Sequence, residues 1–147
     1  MKIDTLLAHA GLCTDTSTGA ISTPIYQTAT FRHPAFGQST GYDYSRSGNP
    51  TRHVLETVMA RLEEGDSGFA FSSGMAAITA VMMLFSSGDH VILSDDLYGG
   101  TYRLMDKIFR SLGLSASYVD VSSKQAIVDA VIPGKTKGLF VETPTTL

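Results

Sequence analysis

The chain has 147 residues, 43% of them apolar and 17% charged, which is the balance of a soluble globular domain and not of a disordered segment. A net charge of -3, with 11 scattered bases, excludes a nucleic-acid surface or an anionic-membrane surface, both of which need clustered Lys and Arg. Cys13 is the only cysteine, so no intrachain disulfide forms, and His9, His33, His53 and His90 share no metal-ligand spacing.

The first segment, Met1 to Leu12, carries one Lys and a broken apolar run. It is neither a signal peptide nor a membrane span, and a cytoplasmic location is expected. Residues 1–48 are rich in Thr, Ser, Gly and Pro and contain short extended pieces such as Ile25-Tyr26-Gln27-Thr28-Ala29-Thr30-Phe31. They read as an arm that needs another surface to lie on.

Residues 41–52 follow as Gly-Tyr-Asp-Tyr-Ser-Arg-Ser-Gly-Asn-Pro-Thr-Arg. The Arg46 guanidinium can grip a phosphate through two parallel hydrogen bonds, and Tyr44, two residues away, can add a hydroxyl donor. An Arg and two Tyr near a helix start also suit a solvated surface. Asn49 is a good N-cap and Pro50 a good first helical residue, predicting a helix over 50–64 whose face is Val54, Leu55, Val58, Met59 and Leu62.

Beyond it, β-prone runs at Gly68–Phe71, His90–Ser94, Ser115–Val119 and Gly138–Val141 alternate with helical patterns at 75–86, 101–112 and 123–131. Alternation of this kind predicts βα units, a mostly parallel sheet with flanking helices, and ligands at the carboxyl ends of the strands.

Two loops at that edge stand out. Ser72-Ser73-Gly74-Met75 leads into a helix whose free amides and dipole suit an anion, although serine capping alone would also explain the turn. Asp95-Asp96-Leu97-Tyr98-Gly99-Gly100-Thr101 offers an aromatic face with room beside it for a flat heteroaromatic, and its two carboxylates suit turn and capping roles better than acid-base work. The chain closes on Glu142-Thr143-Pro144-Thr145-Thr146-Leu147, with no return helix after the fourth run, and reads as the front part of a larger domain.

In this order, Tyr44-Ser45-Arg46 with Asn49-Pro50-Thr51, Ser72-Ser73-Gly74-Met75, Asp96-Leu97-Tyr98-Gly99-Gly100-Thr101 and Glu142-Thr143-Pro144 resemble the trans-sulfuration enzymes of the Cys/Met metabolism family, as do the arm motifs Leu6–Gly11 and Thr23–Phe31. The resemblance implies an α/β fold, the N-terminal part of a fold-type I (aspartate aminotransferase-like) enzyme, with an arm at 1–48 and the first part of the large cofactor-binding domain at 49–147. It implies pyridoxal 5'-phosphate (PLP) as cofactor and a sulfur amino acid such as cystathionine as substrate. It gives Gly74 and Met75 as phosphate-binding amides, Tyr98 as the residue that stacks on the pyridine ring and assists proton movement, and Tyr44 and Arg46 as phosphate ligands serving the neighbouring subunit. A homo-oligomer, a dimer of dimers in the full-length form, follows from the same resemblance. It does not separate β-lyase, γ-lyase and γ-synthase activities.

The family's Schiff-base lysine sits in a Ser-x-Thr-Lys setting far downstream, and none of the five lysines here, Lys2, Lys107, Lys124, Lys135 and Lys137, matches it. The family also continues Glu-Thr-Pro with a small residue, Asn and Pro, where this chain has Thr145, Thr146 and Leu147. The isolated chain is therefore expected to be inactive. The alternative is a noncatalytic remnant or an assembly module.

Overall fold

The structure, a computed structural model, describes residues 2–12 and 15–145. Cys13 and the closing Thr146 and Leu147, on which two of the expectations above rest, lie outside the described residues. The chain divides into two compact units, Met1–Ala70 and Phe71–Leu147.

The first unit holds helices α1 (Ile3–Ala8) and α2 (Pro50–Leu62), joined by a long irregular segment that is pinned by isolated antiparallel bridges at Leu12 with Ser22, Thr30 with Tyr44, and Ala35 with Gln38. The start of α2 follows from its sequence. The Asn49 side chain accepts from the Thr51 amide, and Pro50 occupies the first turn, where its missing N–H costs nothing. The expected apolar face of α2 splits, however. Val54, Val58 and Leu62 are half-buried while Leu55 and Met59 stay 52% and 45% exposed, because within this unit the helix is fastened along its Val54 side, where Val54 packs against Gly11.

Gly68–Phe71, expected as the first strand, pairs with no strand among the described residues. One amide of the run is taken by α2: the Ala70 amide donates to Glu56 Oε1 at 3.0 Å, and Gly68 lies so close to the Glu56 carbonyl that a Cβ there would collide with it.

The second unit is a parallel sheet of β1 (His90–Ser94), β2 (Ser115–Val119) and β3 (Thr136–Phe140) in the order β2-β1-β3. Three of the four strand expectations correspond to these elements, the last displaced by two residues at its start. Around the sheet run α3 (Gly74–Met82), α4 (Gly99–Leu104), which continues as a π-helical turn over Met105–Phe109, and α5 (Lys124–Asp129). Val91 and Leu93 point from β1 into a core built with Met82, Met105, Phe109 and Leu114. Met105 and Phe109, four residues apart on this turn, both enter that core. The opposite parity of β3 and the residue after it leaves Leu139 and Val141 about half exposed.

The amino end of β1 carries a buried polar bridge. His90 is 1% exposed, with Nδ1 2.8 Å from the Thr136 hydroxyl and Nε2 3.0 Å from the Ser117 hydroxyl. One imidazole thereby links all three strands. Thr136 Oγ1 also accepts from the Ile132 amide at 2.8 Å. Burial lowers the His90 pKa from its ordinary value, since the neutral ring can satisfy both hydroxyls whereas a cation there loses its hydration.

The unfolded chain, with an ordinary imidazole, thus binds a proton that the folded chain resists. Stability from this group is complete above about pH 6.5 and is lost as pH falls below that value toward the lower folded pKa, with a limiting slope of about 1.4 kcal/mol per pH unit. Urea melts between pH 5 and pH 8 should show this loss, and His90→Gln should flatten it relative to the parent chain. Equal slopes in the two proteins would remove His90 as the cause.

Candidate functional site

In the first unit the loop at 41–52 is held almost entirely by polar contacts. Asn49 donates through Nδ2 to the Tyr26 carbonyl at 3.1 Å and to Ser45 Oγ at 3.0 Å. The Thr51 hydroxyl accepts from the Tyr26 amide at 2.9 Å and donates to the Pro24 carbonyl at 3.2 Å. Ser45 closes the other side: its amide donates to the Ala29 carbonyl at 2.8 Å and its hydroxyl to the Thr28 carbonyl.

Arg52 is a residue to which sequence reasoning gave no role. Its guanidinium donates to the carbonyls of Ser45, Arg46 and Ser47 at 3.0 to 3.3 Å and pairs with Glu56 one turn on at 3.3 Å. The i, i+4 spacing of Arg52 and Glu56 was the available signal. This fork fills the inside of the loop and leaves Tyr44 and Arg46 pointing outward. Arg46 Nη2 donates to the Tyr44 hydroxyl at 2.9 Å, and the guanidinium carbon lies 5.3 Å from the centre of the Tyr44 ring. Tyr44 and Arg46 therefore form one exposed pair of donors that bonds no carboxylate among the described residues.

In the second unit the loops after the strands meet at the carboxyl edge of the sheet. Ser73 caps α3, its Oγ accepting from the Ala76 amide at 3.2 Å, while the Ala77 amide reaches the Ser73 carbonyl at 3.1 Å. The capping reading of this turn is thus realised. It satisfies two of the first amides and leaves those of Gly74 and Met75 without an acceptor among the described residues. Nothing occupies the space a Cβ would take at Gly74.

Tyr98 immediately precedes α4, with its side chain 42% exposed. Gly100 joins it to Met75: a Cβ on residue 100 would strike the Tyr98 ring and lie 3.0 Å from Met75 Sδ. Asp95 and Asp96 take turn roles, Asp95 donating its amide to the Val119 carbonyl at 3.0 Å and Asp96 accepting from the Thr145 hydroxyl at 3.3 Å. The structure therefore gathers Gly74, Met75 and Tyr98 in one unit and Tyr44 with Arg46 in the other.

A cleft of about 570 Å³ in the first unit, lined by residues that include Leu6, His9, His53, Val54 and Arg61, involves none of these five. No helix among the described residues is long and apolar enough to cross a membrane.

The sequence model of the family described as Cys/Met metabolism PLP-dependent enzyme matches residues 4–147. The chain belongs to the Cys/Met metabolism family of PLP-dependent enzymes. Within that family it is 56% identical over 145 residues to a cystathionine gamma-lyase of Bacillus subtilis (strain 168), covering 99% of this chain and 38% of that protein. It is 52% identical over 144 residues to a cystathionine beta-lyase of Lactococcus lactis subsp. cremoris (strain MG1363), covering 98% and 38%. Among solved structures, cystathionine gamma-lyase from Lactobacillus plantarum complexed with L-serine superposes with a TM-score of 0.90 at 48% identity, over 99% of this chain and 38% of that one. The chain thus spans 38% of the length of these family members, and the α/β architecture expected of an N-terminal part of a fold-type I enzyme is the one found.

The Arg52 geometry separates two arginines six residues apart. Arg52→Ala should lower the stability of the chain by about 1–3 kcal/mol, because it strips three carbonyls and a carboxylate of a charged donor, whereas Arg46→Ala, on the surface, should change it by no more than about 0.5 kcal/mol. Denaturant midpoints of the two variants make the comparison, and equal shifts would contradict the division of labour.

Proposed function

We propose that this chain supplies the phosphate cradle and the ring-stacking face of a PLP-dependent carbon-sulfur lyase or transferase acting on cystathionine or a related sulfur amino acid. The observation that carries the reading is the pair of unpartnered amides at Gly74 and Met75, set at a helix start with the Tyr98 ring against Met75 through Gly100. Open space at Gly74, free donors and a half-exposed aromatic face fit a flat, phosphorylated heteroaromatic group.

PLP, when bound, supplies an electron sink for a carbanion at the substrate. The chain's own residues do the holding. The amides of Gly74 and Met75 donate to phosphate oxygens, helped by the dipole of α3. Arg46 and Tyr44 add charge-assisted and hydroxyl donors, and their mutual hydrogen bond holds them ready for this. We place this pair at the active site of a neighbouring subunit in a homo-oligomer, a dimer of dimers in the cytoplasm. Tyr98 offers its face to the pyridine ring and its hydroxyl for proton movement at the departing sulfur.

The arm at 1–48 and the first part of the large cofactor-binding domain at 49–147 complete the proposed organisation. None of the five lysines stands in the Ser-x-Thr-Lys setting: Lys2 precedes α1 in the first unit, Lys107 is paired with Asp106 at 2.9 Å, Lys124 opens α5, and Lys135 and Lys137 lie at or near the start of β3, at the edge of the sheet away from Tyr98.

PLP titration followed by absorbance tests the cradle. Arg46→Ala should raise the dissociation constant of the assembled protein about 10- to 100-fold, the worth of a hydrogen bond to a charged group, and an unchanged affinity would reject Arg46 as a phosphate ligand. The 147-residue chain mixed with PLP and cystathionine should give no sustained release of oxo acid. Robust turnover, whether of the three-carbon product of β-elimination or the four-carbon product of γ-elimination, would show that a lysine in this chain serves after all.

A further inference from the structure

Tyr98 sits at a helix entrance, where its amide has no intrahelical acceptor, and its side chain makes no capping bond. The acceptor comes from 44 residues away: the Tyr98 amide donates to Glu142 Oε2 at 3.0 Å. Glu142 is itself anchored, its amide directed at the Oγ of fully buried Ser94 at 3.4 Å, and Thr145 bonds back to Asp96 at 3.3 Å. The loops after β1 and β3 are thus laced together at the carboxyl edge.

Main-chain anchoring alone leaves the ring free to turn about its side-chain torsions. Gly100 gives the ring a seat, since the Tyr98 ring and Met75 Sδ occupy the space beside its Cα, and any side chain there would displace one or both.

We propose that Glu142 and Gly100 are the positioning residues for Tyr98, the carboxylate fixing its main chain and the glycine leaving the room its ring takes beside Met75. The proposal rests on Tyr98 being the stacking residue of the cofactor site, and it adds that the stacking plane is set before any cofactor arrives. A charged acceptor on a main-chain amide is stronger than the water that would replace it. A plane fixed in advance spares the ordering cost that binding would otherwise carry.

The test uses the full 147-residue chain without and then with PLP. Without PLP, Glu142→Ala should speed hydrogen exchange at the Tyr98 amide about tenfold relative to the amides of β1, the effect of losing a charged acceptor at a half-exposed site. Glu142→Gln, which keeps a carbonyl acceptor, should restore most of the protection. Gly100→Ala should leave the Tyr98 amide protected and shift the ring resonances of Tyr98. Unchanged exchange in Glu142→Ala, or unmoved ring resonances in Gly100→Ala, would overturn the proposal. Should Glu142→Ala fail to fold, Glu142→Asp, whose shorter side chain no longer reaches the Tyr98 amide, decides: faster exchange at that amide relative to β1 supports the proposal, and parental exchange overturns it.

With PLP added, both Glu142→Ala and Gly100→Ala should weaken binding about fivefold, on the scale of one aromatic stacking contact, and Tyr98→Leu should do the same. If exchange and ring resonances respond as stated while Tyr98→Leu leaves PLP affinity unchanged, the positioning stands and the stacking role fails.

Discussion

Strand β1 is the constraint on which the second unit depends. All five of its residues are buried, and both of its edges are paired in parallel register, with β2 on one side and β3 on the other. A parallel central strand sends its neighbours' exits to the same edge as its own, so the loops that carry Tyr98 and Glu142 must emerge side by side. The amino end is fixed by the imidazole of His90, which spans to both neighbours, and the middle by the packing of Val91 and Leu93 against Met82, Met105 and Phe109. Register at one end and apolar packing in the centre leave the other end free to be built from short polar contacts without loss of alignment.

The first unit is held by a different balance of forces. Its one buried apolar side chain among the described residues is Ala60, while Ile25 and Phe36 stay 77% and 107% exposed, so transfer of apolar surface contributes little to ordering it. Order comes from Asn49, which holds the Tyr26 carbonyl and the Ser45 hydroxyl, from Thr51, which holds two main-chain groups of the arm, and from Arg52, which holds three loop carbonyls. Single hydrogen bonds of this kind contribute only about 0.5–1.5 kcal/mol each. Their value lies in geometry: they hold the main chain at residues 45–47 from the inside, which leaves Tyr44 and Arg46 facing outward as a ready pair.

Much of this was legible from local pattern. His90–Ser94 and Ser115–Val119 are short β-prone runs bounded by turn residues, and the ends of both strands fall where that pattern puts them. Asn49-Pro50 and Ser73-Gly74 announce helix starts through capping chemistry that depends on near neighbours alone. Gly68–Phe71 misled for the same reason. Its composition suits a strand, but whether it pairs depends on what lies beside it, and there Glu56 takes the Ala70 amide and Gly68 lies against the backbone of α2. Arg52 and Glu142 were harder to read because their partners are carbonyls and amides of main chain whose path only the fold decides. No spacing rule connects Glu142 to the amide of Tyr98.

The distribution of tasks also fits what the relatives share. The chain is 56% identical to a protein named for γ-lyase activity and 52% identical to one named for β-lyase activity, over nearly the same residues. A segment that chose which carbon-sulfur bond breaks would be expected to favour one of them strongly. Near-equal similarity to both instead suits the proposed role, common to the two reactions, of holding an anion at a helix start and keeping an aromatic plane in place. The structural requirements of that work are strict where side chains meet main chain, at Asn49, Ser73, Gly100 and Glu142, because a donor or a ring displaced by one ångström no longer meets its partner. They are loose on the exposed apolar faces, where exchange of one aliphatic residue for another leaves the donors and the ring undisturbed.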